Sequence, residues 1–166
     1  RKDNMKIKLF ITGGTIDCEK IEEGNNYLFK KTHLPEMLEQ AKCKVDIDSQ
    51  VLMLKDSIYM ADEDRKKILK SCKNCEEDKI IITHGTDTMV ETAQVLGRSI
   101  KNKTIVLLGA MIPYNQKKSD ALFNLGYAIS AVKVLPKGVY IAMNGKIFNW
   151  NNVRKNKELG VFEEAK

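Results

Sequence analysis

The sequence predicts an α/β fold: one doubly wound, mostly parallel sheet with helices on both faces, forming a single domain. Three observations predict it. Short apolar runs rich in Ile, Val and Leu alternate with amphipathic helical patterns along the chain. The runs are compact and apolar enough to be strands covered on both sides. Two turns, Thr12-Gly13-Gly14-Thr15 and Thr83-His84-Gly85-Thr86-Asp87, each follow such a run. A parallel sheet opens its ligand crevice at that end of its strands.

The elements follow in order. Lys6 to Ile11 is a buried strand closed by the glycine pair. Asp17 to Lys31 is polar and too long for a simple βα turn, so it reads as a loop or loose hairpin of the lid type. His33 to Lys42 places Leu34, Met37, Leu38 and Ala41 on one helical face, with Pro35 in the first turn and His33 at the helix start. Lys44 to Leu54 is strand-like and delivers Asp56-Ser57. Asp62 to Lys73 is a helix, Lys79 to Thr83 a strand, and Thr88 to Arg98 a helix with Met89, Thr92, Ala93 and Leu96 on one face. Thr104 to Leu108 is a strand, Lys118 to Leu135 a long helix, Val139 to Met143 the last strand, and Asn144-Gly145 a turn. No structure is assigned from Lys146 to Lys166.

Composition narrows the function classes. The chain has 166 residues, 43% hydrophobic and 30% charged, enough for one domain with a substantial core. No apolar run approaches the roughly 20 residues that span a bilayer, so no membrane partner is expected. Arg1 to Asn4 reads as a tag ahead of Met5, and the start shows no signal-peptide pattern, which points to a cytoplasmic location. The net charge is +6, but the lysines are interleaved with acids, and the acid-poor clusters Lys101-Asn102-Lys103 and Arg154-Lys155-Asn156-Lys157 hold no aromatics. That describes a solvated surface and no nucleic-acid partner. Cys72 and Cys75 form an isolated C-x-x-C, too little for a zinc site, and reduced thiols are expected.

The chemistry sits in the two turns. A glycine pair lets the backbone approach a ligand closely. The hydroxyl of Thr15 then either attacks a carbonyl or belongs to a plain tight βα turn. A threonine nucleophile needs an activating neighbour. Thr86 offers a second hydroxyl, and Asp87 can hold an ammonium. His84 is a tempting base, but a histidine at such a turn is more often satisfied by backbone hydrogen bonds. Neither G-x-G-x-x-G nor G-x-x-x-x-G-K-S/T spacing occurs, so a nucleotide site is not expected.

These motifs resemble the bacterial-type L-asparaginases, the asparaginase/glutaminase amidohydrolases. Ile11 to Ile16 is similar to the family's T-G-G-T-I signature, and Ile82 to Met89 to its T-H-G-T-D-T-M signature. Val106 to Met111 with Pro113 resembles V-x-x-G-A-M-R-P. Ser119-Asp120 and Phe123-Asn124-Leu125 resemble the following S-A-D-G-P-x-N-L. The likeness covers most of the chain.

The resemblance implies an acyl transfer on the side-chain amide of L-asparagine or a related small amide, with no metal or other cofactor. It puts Thr15 at the nucleophile and Tyr27 at the tyrosine that contacts it. Ser57, in Asp56-Ser57, stands at the position that holds the substrate carboxylate. Thr86, Asp87 and Lys155 stand at a Thr-Asp-Lys constellation, Lys155 through the likeness of Met143-Asn144 and Val153-Arg154-Lys155 to M-N-D and V-T-K. Ala110 would line the pocket, and Gly14 with the Thr86 amide would polarise the carbonyl.

Family members carry a second, smaller α/β domain and build their sites at subunit interfaces. Residues 5–166 are expected to hold the N-terminal domain alone, in a homo-oligomer, most simply a dimer, with Phe148, Trp150 and Phe162 either as interface anchors or packed on the body. Ile58 and Ile112 replace residues that are polar in the family. Three readings follow: an asparaginase-like hydrolase, an amidase acting on another amide or releasing ammonia to a further reaction, and an amino-acid-binding domain without catalysis.

Overall fold

A computed structural model describes residues 5–22 and 26–166. The expectation for residues 1–4 and the centre of the 17–31 segment lie outside that range. The chain forms ten strands and four α-helices among the described residues. They run in the order β1 (Ile7–Gly13), β2 (Lys20–Glu22), β3 (Asn26–Leu28), α1 (Leu34–Gln40), β4 (Ile47–Lys55), α2 (Asp62–Asn74) and β5 (Lys79–Thr83). There follow α3 (Met89–Ser99), β6 (Thr104–Leu108), α4 (Ala121–Val134), β7 (Gly138–Met143), β8 (Lys146–Asn149), β9 (Arg154–Asn156) and β10 (Val161–Glu163).

Six strands make one sheet in the order β4-β1-β5-β6-β7-β8. All neighbours in it are parallel except the β7–β8 hairpin. The strand order reverses at β1, which pairs with β4 on one side and β5 on the other. The crevice of a doubly wound sheet opens at such a reversal, at the carboxyl ends of the strands.

Period-two alternation sorts β1 between two cores. Ile7, Leu9 and Ile11 join Ile81, Val106 and Leu108 under α1 and α4, where Leu34, Met37, Leu125 and Val132 meet them. Phe10 turns to the opposite face with Ile80, Ile82 and Leu107, under Ile68 and Cys72 of α2 and Met89, Ala93 and Leu96 of α3. The helices thus cover both faces, as the sequence predicts. No helix among the described residues is long and apolar enough to cross a membrane.

One boundary shifts for a physical reason. The helical pattern from Lys118 becomes a helix only at Ala121. The Ser119 hydroxyl donates to the Ile112 carbonyl at 2.7 Å, and the Asp120 carboxylate accepts from the Met111 and Ile112 amides at 3.0 Å. Those bonds hold the 118–120 backbone to the neighbouring loop. The long polar segment resolves into a hairpin of β2 and β3, in antiparallel register.

The unassigned C-terminal stretch holds three short strands. Asn144 and Gly145, with φ of 58° and 68°, turn β7 back into β8. An Asn-Gly pair is the strongest short hairpin signal, so the expected turn at 144–145 also accounts for the strand that follows it. Beyond β8, β9 and β10 form a separate two-stranded ribbon. Of the two readings of Phe148, Trp150 and Phe162, packing on the body is the one found: Phe148 and Phe162 are 4% and 3% exposed inside the α2–α3 core, and Trp150 packs against that core.

Trp150 lies on Gly97 of α3, where an added Cβ would sit 2.3 Å from the indole ring. Alanine at 97 gains about 1 kcal/mol of helix propensity. Overpacking a rigid ring costs about 1–3 kcal/mol. Gly97→Ala is therefore expected to lose about 1 kcal/mol net, read as a lower urea midpoint at unchanged slope.

Candidate active site

The reversal at β1 is where the predicted turns meet. The Thr12 hydroxyl donates to the Thr83 carbonyl at 2.7 Å and stitches the ends of β1 and β5. Gly13 and Gly14 take φ of 96° and 81°, a region that strains other residues. Close approach also demands them. A Cβ on Gly13 would lie 2.3 Å from the Lys55 nitrogen, and one on Gly14 would lie 2.4 Å from Cα of Gly85. The two turns touch backbone to backbone.

Thr15 follows directly, opening a 3₁₀ turn over Thr15–Asp17. It is 8% exposed, and its Oγ1 donates to the Tyr27 hydroxyl at 3.1 Å. Tyr27 comes from β3 of the hairpin, so the lid-type segment supplies a group to the turn. The hairpin is fastened at its neck. The fully buried Asp17 carboxylate accepts from the Thr32 hydroxyl at 2.7 Å and the His33 amide at 2.6 Å. Burial pushes the Asp17 carboxyl above its ordinary range, and those two hydrogen bonds oppose the shift.

Across the seam, Thr86 is 6% exposed. Lys155 Nζ donates to Thr86 Oγ1 and to Asp87 Oδ1, each at 2.8 Å. Lys155 reaches the site from β9, and the ribbon is anchored by buried Phe162, by an Arg154–Glu163 ion pair at 2.7 Å, and by the Phe162 amide donating to Asn144 Oδ1 at 2.8 Å.

The end of β4 closes a third side. Ser57 is 1% exposed, and a Cβ on Gly85 would lie 2.5 Å from its Oγ. Ser57 Oγ accepts from the Thr88 amide at 3.2 Å, while the Thr88 hydroxyl donates to the Ser57 carbonyl at 2.8 Å. The Asp56 carboxylate caps the 3₁₀ turn Ser57–Tyr59 by accepting from the Ile58 amide at 3.1 Å. Burial raises the Asp56 carboxyl; Asp87 adds to the shift, and Lys155 works against it. Asp56 therefore shares one electrostatic neighbourhood with that pair.

The structure thus joins Thr15 with Tyr27, joins Thr86 with Asp87 and Lys155, and seats Gly14 and Ser57 against Gly85. Ala110 is less direct. Its side chain is fully buried in the α4 core, and its neighbour Gly109 is the residue against Thr86, with a Cβ there 3.3 Å from the Thr86 methyl. Asn124 of α4 holds that turn by donating to the Gly109 carbonyl at 2.9 Å.

Four supporting groups were not assigned a role from sequence: Asp17, Thr88, Asp120 and Asn124. Each acts on a backbone group far along the chain, for which periodicity offers no signal. His84 settles as a structural residue. Its Nδ1 lies 2.7 Å from the Gly85 carbonyl, which can only accept, so Nδ1 carries the proton and Nε2 accepts from the Thr92 hydroxyl at 2.7 Å. Cys43, Cys72 and Cys75 carry free thiols, and burial pushes the Cys72 thiol up. Among the described residues, no three His, Cys, Asp or Glu groups are placed to hold a metal ion.

Comparison with known proteins places the chain in a family. Residues 6–162 match the family profile described as Asparaginase, N-terminal. The chain belongs to the asparaginase family. It is 32% identical over 162 residues to the L-asparaginase of Thermococcus kodakarensis, covering 95% of this chain and 49% of that protein. The solved structure of the thermostable L-asparaginase from Thermococcus kodakarensis superposes with a TM-score of 0.84 at 30% identity, over 96% of this chain and 51% of that one. A component of the glutamyl-tRNA(Gln) amidotransferase of Methanococcus vannielii is 33% identical over 160 residues, covering 89% of this chain and 36% of that protein. The chain thus spans about half the length of the L-asparaginase it matches.

Full burial pulls His84 from its ordinary 6.5 down to about 4. The unfolded chain then binds a proton that the folded chain refuses, so stability falls as pH drops from about 6.5 to about 4. The contribution is about 3 kcal/mol, present in full above that window and lost below it. Denaturant unfolding across it should show a smaller decline for His84→Gln than for the unaltered chain.

Proposed function

We propose that this domain carries the nucleophile side of an amidohydrolase that cleaves the side-chain amide of L-asparagine or a related small amide. One observation carries the reading: Thr15 and Thr86 flank a seam in which Gly14 touches Gly85. Each hydroxyl has a partner suited to activating it, Tyr27 for Thr15 and Lys155 for Thr86. The names of the L-asparaginase relatives point to the same substrate.

In this reading Thr15 Oγ attacks the amide carbon. Its proton goes to the departing nitrogen, which leaves as ammonia, and a threonine ester remains. Water cleaves the ester, giving the carboxylic acid and restoring the hydroxyl. The Gly14 amide is already engaged, donating to the Lys55 carbonyl at 2.9 Å, so the expected pairing of Gly14 with Thr86 reduces to the Thr86 amide as the donor that would stabilise the oxyanion. Asp87 suits a substrate ammonium, and Asp56-Ser57 the other end of an amino acid. No step requires a metal or organic cofactor. Lys155 donates to both Thr86 and Asp87, so it can act as a base only after giving up a proton.

The likeness to part of an amidotransferase favours a second reading, in which the same hydrolysis releases ammonia to a further reaction. A third is an amino-acid-binding domain without turnover.

Ammonia release from L-asparagine, L-glutamine and D-asparagine tests these together. Thr15→Ala is expected to lower kcat at least about 10³-fold, and Thr86→Val and Lys155→Met about 10²-fold or more. Release that is unchanged in Thr15→Ala would remove the threonine ester from the mechanism. Asparagine binding with no ammonia from any substrate would leave the binding domain in its place.

A further inference from the structure

A cavity of about 450 Å³ lies beside the hairpin neck, between α1 and the 114–122 segment. Glu19, His33, Glu36, Gln40, Tyr114 and Lys118 are among its lining residues, and none has a role in the seam described above. Some of them fasten the neck. The Glu19 amide donates to the Leu28 carbonyl at 2.8 Å, and the Asn115 side-chain amide donates to the Glu19 carbonyl at 2.6 Å.

His33 is the anomaly in this wall. It is 6% exposed, yet neither ring nitrogen makes a hydrogen bond. Nε2 lies 3.3 Å from Glu19 Oε1, and Nδ1 lies 3.8 Å from Glu36 Oε2. Buried polar groups are normally satisfied, and one left open calls for a partner. A neutral imidazole has one donor and one acceptor. With the proton on Nε2, facing Glu19, the Nδ1 lone pair faces the Glu36 carboxylate. Two acceptors then confront each other with no donor between them.

Their 3.8 Å separation is too long for a hydrogen bond. It suits a shared donor placed about 2.9 Å from each. Glu36 is 64% exposed, its other oxygen accepts from the Tyr114 hydroxyl at only 3.5 Å, and it can turn outward to admit one. The missing partner must bring at least two N–H bonds, and positive charge is favoured: two lining carboxylates face the single lining ammonium of Lys118. A divalent metal fits less well, because each carboxylate addresses a different ring nitrogen.

We propose that this cavity binds a small molecule through a primary ammonium group, held between His33 Nδ1 and the Glu36 carboxylate, with Glu19 setting the tautomer of the ring. The site does not depend on the amide-hydrolase reading. Simple amines and α-amino acids share the ammonium, and Lys118 distinguishes them by offering a partner to a carboxylate.

The chain has two histidines, so a proton–carbon spectrum of the imidazoles contains two Cε1–H signals, with buried His84 as the internal control. Ethylammonium chloride is titrated against potassium chloride at equal ionic strength, at about pH 7.5, where an ordinary histidine is neutral. The His33 signal is expected to move saturably with a millimolar Kd while the His84 signal stays still. Glu36→Gln should weaken binding about tenfold, with an unchanged His84 signal showing that the fold is intact. A tighter response to L-alanine than to ethylammonium would identify amino acids as the ligand source, and the reverse order simple amines. A His33 signal that does not saturate, that moves equally with potassium chloride, or that shows a fully protonated ring before any ligand is added would overturn the site. Equal affinity in Glu36→Gln would do the same.

Discussion

The site depends on a contact between two glycines. β1 and β5 lie side by side and end in turns whose backbones meet at Gly14 and Gly85, with no room for a Cβ between them. That contact sets Thr15 and Thr86, each the next residue along, on the two banks of one seam. Ser57, at the end of β4, packs against the other side of Gly85. Three strand ends therefore converge because one residue carries no side chain. Positive φ at Gly13 and Gly14 contributes as well, since the chain must leave β1 sharply to place Thr15 in its 3₁₀ turn.

The second requirement is a cation delivered from outside the sheet. Lys155 belongs to a ribbon of two three-residue strands, which has little stability alone. Buried Phe162 supplies the anchor, lodging in the α2–α3 core. An apolar residue on β10 thus positions a charged one on its partner strand: in the ladder Phe162 pairs directly with Lys155. The ammonium then joins Thr86 and Asp87, and its charge also reaches the raised carboxyl of Asp56.

Buried polar side chains hold the turns in shape. His84 bridges Gly85 and Thr92, Asn124 and Asp120 secure the 109–112 loop, and Asp17 closes the hairpin neck. In each case a side chain satisfies main-chain groups that the sheet and helices leave over, which is the main demand on backbone buried at a strand end. Asp17 lies two residues beyond Thr15 and ties Thr32 and His33, which follow β3, back beside it.

Much was legible beforehand. Compact apolar runs marked the five parallel strands, helical spacing marked the four helices, and the Gly/Thr turns marked both banks of the seam, because periodicity and turn chemistry act over a few residues. The ribbon was not legible, since three-residue strands carry no period. Sequence alone determined which segments are strands, which are helices and which turns bear hydroxyls and carboxylates. The likeness of Val153-Arg154-Lys155 to a family motif had grouped Lys155 with Thr86 and Asp87. Tertiary structure decided that β1 lies between β4 and β5, that Phe162 points inward, and how Lys155 is carried to Thr86 from 69 residues away. Those outcomes follow from packing between distant segments, where the fit of one surface on another selects the partner and periodicity does not record it.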